Sequence, residues 1–144
     1  MKSIWFKPYQ PADMEKQFPN TMMEHLGIEV VEVGPDFVTA RMPVDKRTHQ
    51  IFGILHGGAS MALAETLGSM AAYMTLDSSK QYCVGQEING NHLRGVSSGF
   101  VIATARPFHM GATSQVWGID IRDEANKPVC VSRITMAVRD RAPS

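Results

Sequence analysis

The chain has 144 residues, 44 % hydrophobic and 19 % charged, which suits one folded domain with a real core and excludes a disordered segment. Lys plus Arg and Asp plus Glu are both 14, so there is no basic footprint for nucleic acid; the densest basic run, "DKRTH" at 45–49, is short and suits a solvated turn. Cys83 and Cys130 lie far apart without CxxC spacing, which argues against a disulfide framework or a cysteine zinc site and makes both small apolar strand residues.

The opening "MKSIWFKPYQ" has no apolar run ahead of Lys7 and Pro8, so no secretory signal is visible and the expected compartment is the cytoplasm. "PADMEKQFPNTMMEHLG" predicts a loop and one short helix, with Asn20 or Thr21 as its cap and Gly27 as its end. "IEVVEVG" and "FVTARMPV" are predicted strands joined by a tight turn at "GPD". In the second strand Val38, Ala40, Met42 and Val44 share one face.

Residues 51–76 form the longest nearly uncharged run, but its apolar content is mostly Ala, Gly and Met. Gly57-Gly58 interrupts it, and His56 and Glu65 lie inside it, where a carboxylate would be costly in lipid. A core helix over 58–76 is therefore predicted, and no membrane partner. Four strands follow Lys80: "YCVGQEINGNHLRG", "GFVIATARPFH", "SQVWGIDIR" and "PVCVSRITMAVRD". Trp117, Ile119 and Ile121 share a face in the third, as do Ile134, Met136 and Val138 in the fourth. The breaks "GVSSG", "HMGATS" and "DEANKP" are of hairpin length and rich in turn formers.

One long helix and six strands, most of them consecutive, predict an α+β fold with an antiparallel sheet of roughly six strands, as one domain over 1–144. A helix apolar around most of its circumference needs more cover than one small subunit supplies, so a homo-oligomer is expected.

Glu65 is the conspicuous residue of that helix. It shares a face with Met61, Ala62, Ser69 and Ala72, and no Lys or Arg stands three or four positions away. Either it meets solvent or an arginine from a strand, such as Arg94 or Arg133, or it lines a cleft in which a lone carboxylate acts as nucleophile or general base. Gly57 and Gly58 stand where the helix begins, and free N–H groups there suit a phosphate or a developing oxyanion; equally, the pair could form a plain turn. His56 and Gln50 bracket the same loop, and Ser69 lies one turn beyond Glu65. "GASMA" around Ser60 matches a GxSxG elbow only loosely, and His25, His49, His56, His92 and His109 have no metal-ligand spacing. Met70, Tyr73 and Met74 can reach a pocket floor or simply fill the core.

The run "HQIFGILHGGASMALAETLGSMAA", followed by strands alone, resembles the hotdog-fold acyl-CoA thioesterases of the PaaI-like superfamily. Within it, the chain looks like the subgroup with a catalytic Glu, typified by Arthrobacter-type 4-hydroxybenzoyl-CoA thioesterase and 1,4-dihydroxy-2-naphthoyl-CoA hydrolase. The resemblance covers about residues 20–139, with 1–19 as an N-terminal extension. It implies a long central helix wrapped by the sheet, in dimers that often pair into tetramers, with each site built from two chains. Glu65 would then attack the thioester carbonyl or activate water, and the Gly57 N–H would polarise that carbonyl. Gln50 and His56 would assist, and Ser69 would position the acid or the water. "NHLRG" offers His92 and Arg94 near the ligand. Gly58, His109, Gly111 and Ser114 match positions that touch CoA, but Ala112 stands where the family often has Arg or Lys, so Arg106, Lys46 or Arg47 would have to meet the phosphates. The resemblance implies an acyl-CoA substrate, aromatic rather than long-chain, and no cofactor beyond the CoA it carries. A hotdog hydratase or dehydratase and a non-catalytic acyl-CoA-binding module are the alternatives.

Overall fold

The computed structural model describes residues 2–142. Alternating apolar residues give six strands: β1 (Glu29–Val33), β2 (Val38–Pro43), β3 (Gln81–His92), β4 (Phe100–Met110), β5 (Ser114–Asp123) and β6 (Pro128–Asp140). They form one antiparallel sheet in the order β1-β2-β4-β5-β6-β3. The connection "GVSSG" is therefore a crossover and not a hairpin. β3 pairs with β6 at one edge, while β4 sits between β2 and β5. A short loop sufficed because β3 and β4 are far apart in the sheet only laterally; the two strand ends it joins lie on the same side of the fold.

The long helix, here α3 after the two short helices described below, spans Gly57–Met74. It begins one residue earlier and ends two earlier than the 58–76 expected, because His56 caps its start and Thr75 closes its end, where the hydroxyl donates to the Ala72 carbonyl at 2.7 Å. Leu63, Leu67, Ala71 and Met74 are fully buried against the sheet. Facing them are the predicted stripes Val38, Ala40 and Met42 of β2, Trp117, Ile119 and Ile121 of β5, and Ile134 and Met136 of β6. Burying a side chain such as Leu67 contributes about 1.5–3 kcal/mol, so this layer holds helix and sheet together.

Two short helices, α1 (Pro11–Glu15) and α2 (Met22–Leu26), precede the sheet where one was expected. The signal for α1 is Pro11 at its first position, with Asp13 accepting the Gln10 N–H at 3.0 Å. Thr21 is the residue before α2, and Gly27 ends it in the left-handed region at φ 69. Residues 1–19 contribute Trp5, Met14 and Phe18 to the buried core. Trp5 stacks on Trp117 with ring centroids 6.1 Å apart, and the Phe6 N–H donates to the Met74 carbonyl at 2.9 Å, tying this segment to the end of α3.

Cys83 and Cys130 are free thiols on β3 and β6, and burial pushes both above the usual cysteine range. No helix among the described residues is long and apolar enough to cross a membrane.

Candidate active site

The chain leaves β2 through a turn locked by buried Thr48, whose hydroxyl donates to the Pro43 carbonyl at 2.8 Å. It then forms a small loop closed by the pairing of His49 with Leu55. Inside that loop the Gln50 N–H donates to the Ile54 carbonyl at 2.8 Å, and Gly53 turns at φ 73. The Gln50 side-chain oxygen accepts the Phe52 N–H, which fixes the amide orientation. Its NH2 group is left without an acceptor among the described residues. At the loop tip Ile51 and Phe52 are 93 % and 81 % exposed.

His56 follows as the cap of α3. Its Nδ1 accepts the Gly58 N–H at 2.7 Å, so in the neutral ring the proton sits on Nε2. His56 thus has the structural role of a cap and still presents one N–H donor. Gly57, the first helical residue, has no acceptor for its own N–H among the described residues. His92, the last residue of β3, packs its ring on Gly57: a Cβ at position 57 would stand 2.6 Å from its Nε2. Gln50, Gly57, Ser60, His92 and Arg94 line one cleft of about 360 Å³. It is rich in donors and sits at the positive end of a helix dipole, which suits an oxygen that gains negative charge.

The candidate carboxylate is elsewhere. Glu65 is exposed and has neither ion pair nor hydrogen bond among the described residues. Of the arginines considered for it, Arg94 is bound to Asp123 at 2.5 Å and Arg133 makes no salt bridge with it. The Asp123 carboxyl is held below the usual range by the Lys127 N–H and then by Arg94. Eight residues of helix separate Gly57 from Glu65, a rise of about 12 Å. No single carbonyl can touch both within one chain. Ser69 lies a further turn along, where its hydroxyl meets the Met136 sulfur at 3.7 Å instead of a backbone carbonyl.

His109, Gly111 and Ser114 form the β4–β5 hairpin, closed by the Gly111 N–H on the Ser114 carbonyl at 2.9 Å. This hairpin adjoins the C-terminal end of α3, where Gln115 donates to the Thr75 hydroxyl at 2.8 Å. Within one chain it is therefore remote from the cleft at Gly57. Of the three cations considered for CoA phosphates, Arg106 is paired with Asp36 at 2.9 Å and Arg47 with Asp45 at 2.6 Å; Lys46 makes no ion pair among the described residues. Arg47 holds the Asp45 carboxyl down at about 2.

A larger concavity of about 750 Å³ lies on the opposite face of the sheet; Arg106, already paired with Asp36, lines it, but Gln50, His56, Gly57, Glu65 and Ser69 do not. Its Arg122 is paired with Asp120 at 2.6 Å, so it offers less unspent chemistry than the smaller cleft. Among the described residues, no three His, Cys, Asp or Glu side chains converge to hold a metal ion.

Residues 52–130 match the thioesterase superfamily. The chain is 54 % identical to the proofreading thioesterase EntH of Cronobacter turicensis, over 94 % of this chain and 98 % of that one. It superposes on the crystal structure of a mutant thioesterase of Pseudomonas aeruginosa with a TM-score of 0.95 and 47 % identity, covering 96 % of this chain and 100 % of the other. That protein carries a Gln-to-Ala substitution. A thioesterase of Staphylococcus aureus, 34 % identical with a TM-score of 0.79 over 82 % of this chain and 98 % of its own, was likewise crystallised as a Gln-to-Ala mutant, and the same protein as a Glu-to-Ala mutant.

Proposed function

The chain belongs to the thioesterase superfamily, and from that premise we propose that it hydrolyses an acyl-CoA to the free acid and CoA at a site shared by two subunits. The observation that carries the proposal is the Glu65 carboxylate, without a partner among the described residues, on a helix whose first N–H, at Gly57, is likewise unused among them. A carboxylate and an oxyanion donor together suffice to hydrolyse a thioester, and their separation along one helix calls for a second chain.

β3 is a long strand at the edge of the sheet, with Tyr82 and Val84 exposed upon it. Such an edge calls for cover. Antiparallel pairing of two β3 edges reverses one α3 against the other, and so brings the start of one helix toward the middle of its partner. Further support comes from the Staphylococcus aureus thioesterase, whose mutated Gln and Glu stand fifteen positions apart, the separation of Gln50 and Glu65.

In the reaction, the Gly57 N–H and the Gln50 amide hold the thioester oxygen, with His56 Nε2–H beside them. Glu65 of the other subunit either attacks the carbonyl carbon or takes a proton from the water that does. The carbon–sulfur bond then breaks and CoA leaves as thiolate, which takes up the proton released from water; where Glu65 has attacked, water then cleaves the acyl–Glu65 anhydride, freeing the acid and restoring the carboxylate. Ser69 positions the carboxylate or the water. Gly58, His92, Arg94, His109, Gly111 and Ser114 border the acyl-CoA path, and Ile51 and Phe52 offer an apolar rim that suits an aromatic acyl group.

Thiol release measured with DTNB tests this reading. Benzoyl-CoA is expected to exceed palmitoyl-CoA in kcat/KM by about tenfold or more, because a short rigid ring fits a cleft that a long chain overfills. Hydration of crotonyl-CoA without thiol release would support a hydratase instead, and tight binding without turnover a binding module.

A further inference from the structure

We infer that Gly85 on β3 is a positioning residue for Glu65: the side chain missing there leaves the space in which the carboxylate lies. The inference rests on the reading of Glu65 as the reacting acid. A Cβ at position 85 would stand 2.5 Å from Glu65 Oε1, a distance real Cβ contacts do not show. The next nearest atoms are Glu65 Cδ at 3.7 Å and Ile134 Cδ1 at 3.9 Å, which are ordinary contacts. Nor does the backbone require glycine, since Gly85 is not among the described residues of positive φ, which are Gly27, Gly53, Gly99, Asn20 and Asn126. Glycine within a strand weakens it, having no side chain to pack and more freedom to lose. The spatial consequence of this glycine thus falls on one group, the carboxylate.

A β-bulge makes the arrangement possible. Gly85 pairs with Met136 and Glu87 with Thr135, so Gln86 is the extra residue. Before the bulge the positions facing α3 and the core are odd, Cys83 and Gly85; after it they are even, Ile88, Gly90 and His92. Three contacts follow along the helix: His92 meets Gly57, Gly90 faces Met61 and Gly85 faces Glu65. Without the bulge, a strand that kept His92 on Gly57 would turn Gln86 toward Glu65 and Gly85 away. The bulge therefore reconciles a His at one end of the strand with an empty position under the acid. Glu65 can then lie low along the sheet edge that the partner subunit approaches.

The test is Gly85→Ala in the full chain. Only the far end of the flexible Glu65 side chain must give way, and Ala is the better strand residue, so the variant folds with Tm unchanged or raised. Thiol release is expected to fall about 100-fold in kcat, the scale of an ångström of misplacement, with KM within about twofold. In a Glu65→Ala background the same change alters the residual rate by less than about twofold, because it acts through the carboxylate. Gly85→Ser serves as a second variant with the same expectation. Full kcat in both folded variants, an equal loss in the Glu65→Ala background, or failure of both to fold would each overturn the inference. Wild-type protein that releases no thiol from any acyl-CoA would instead overturn the function on which it rests.

Discussion

Glu65→Ala is expected to lower kcat for thiol release by about 1,000-fold or more while Tm stays within a few degrees of wild type. Activity and stability separate here because the carboxylate is exposed and has no partner among the described residues, so the fold does not depend on it. Ala is also a better helix former than Glu, and a surface change of this kind usually alters stability by no more than about 0.5 kcal/mol. Glu65→Gln keeps the shape but removes the basic oxygen pair, and should lose nearly as much rate. Calorimetry or thermal melting beside the thiol assay checks both halves. A parallel loss of Tm would mean that Glu65 supports the fold in some way its surroundings do not reveal.

Gly57→Pro is the second large expected effect, and it removes one backbone N–H without removing a side chain. Proline suits the first position of a helix, where the missing N–H has no helical partner. His56 already has φ −70 and ψ 131, the extended conformation that precedes proline. Any Cβ at 57 also presses on the His92 ring, so Gly57→Ala is the necessary control. The Ala variant keeps the N–H, and the difference between the two reports the hydrogen bond to the thioester oxygen. That difference should be about 100- to 1,000-fold in kcat, the usual worth of an oxyanion donor. Equal activity in the Ala and Pro variants would show that this N–H does not touch the reacting oxygen.

Much of the fold was legible because its signals are local. Trp117, Ile119 and Ile121 alternate strictly, and α3 starts at a glycine pair and is mostly apolar around Glu65, so the six strands and the long helix could be expected, while the hotdog arrangement was implied by the resemblance. The resemblance to the thioesterases rested on the loop and helix that contain Gln50, Gly57 and Glu65, and that family was found. What escaped depends on long-range choices. Nothing near "GVSSG" says that β3 will cross to the far edge and pair with β6. The bulge at Gln86 breaks the very alternation used to assign faces, which hid the meeting of Gly85 with Glu65. The pairings of Arg94 with Asp123 and Arg106 with Asp36 span 29 and 70 positions, beyond any helical or hairpin spacing. The α1 helix is hard to read for a different reason: Pro11 and Asp13 suit a helix start, but unlike α2, which Gly27 closes, it has no glycine to mark its end.

On the proposed mechanism the acid and the amide acting on one thioester come from different chains. Co-refolding Glu65→Gln and Gly57→Pro proteins in equal amounts tests this most directly, since each variant alone is expected to be nearly inactive. In a two-fold dimer, half the molecules pair the two variants, and each of these has one site with both groups intact. Activity should therefore return to about a quarter of wild type, measured as thiol release. A mixed dimer, verified by mass, that stays as inactive as its parents would contradict the shared site.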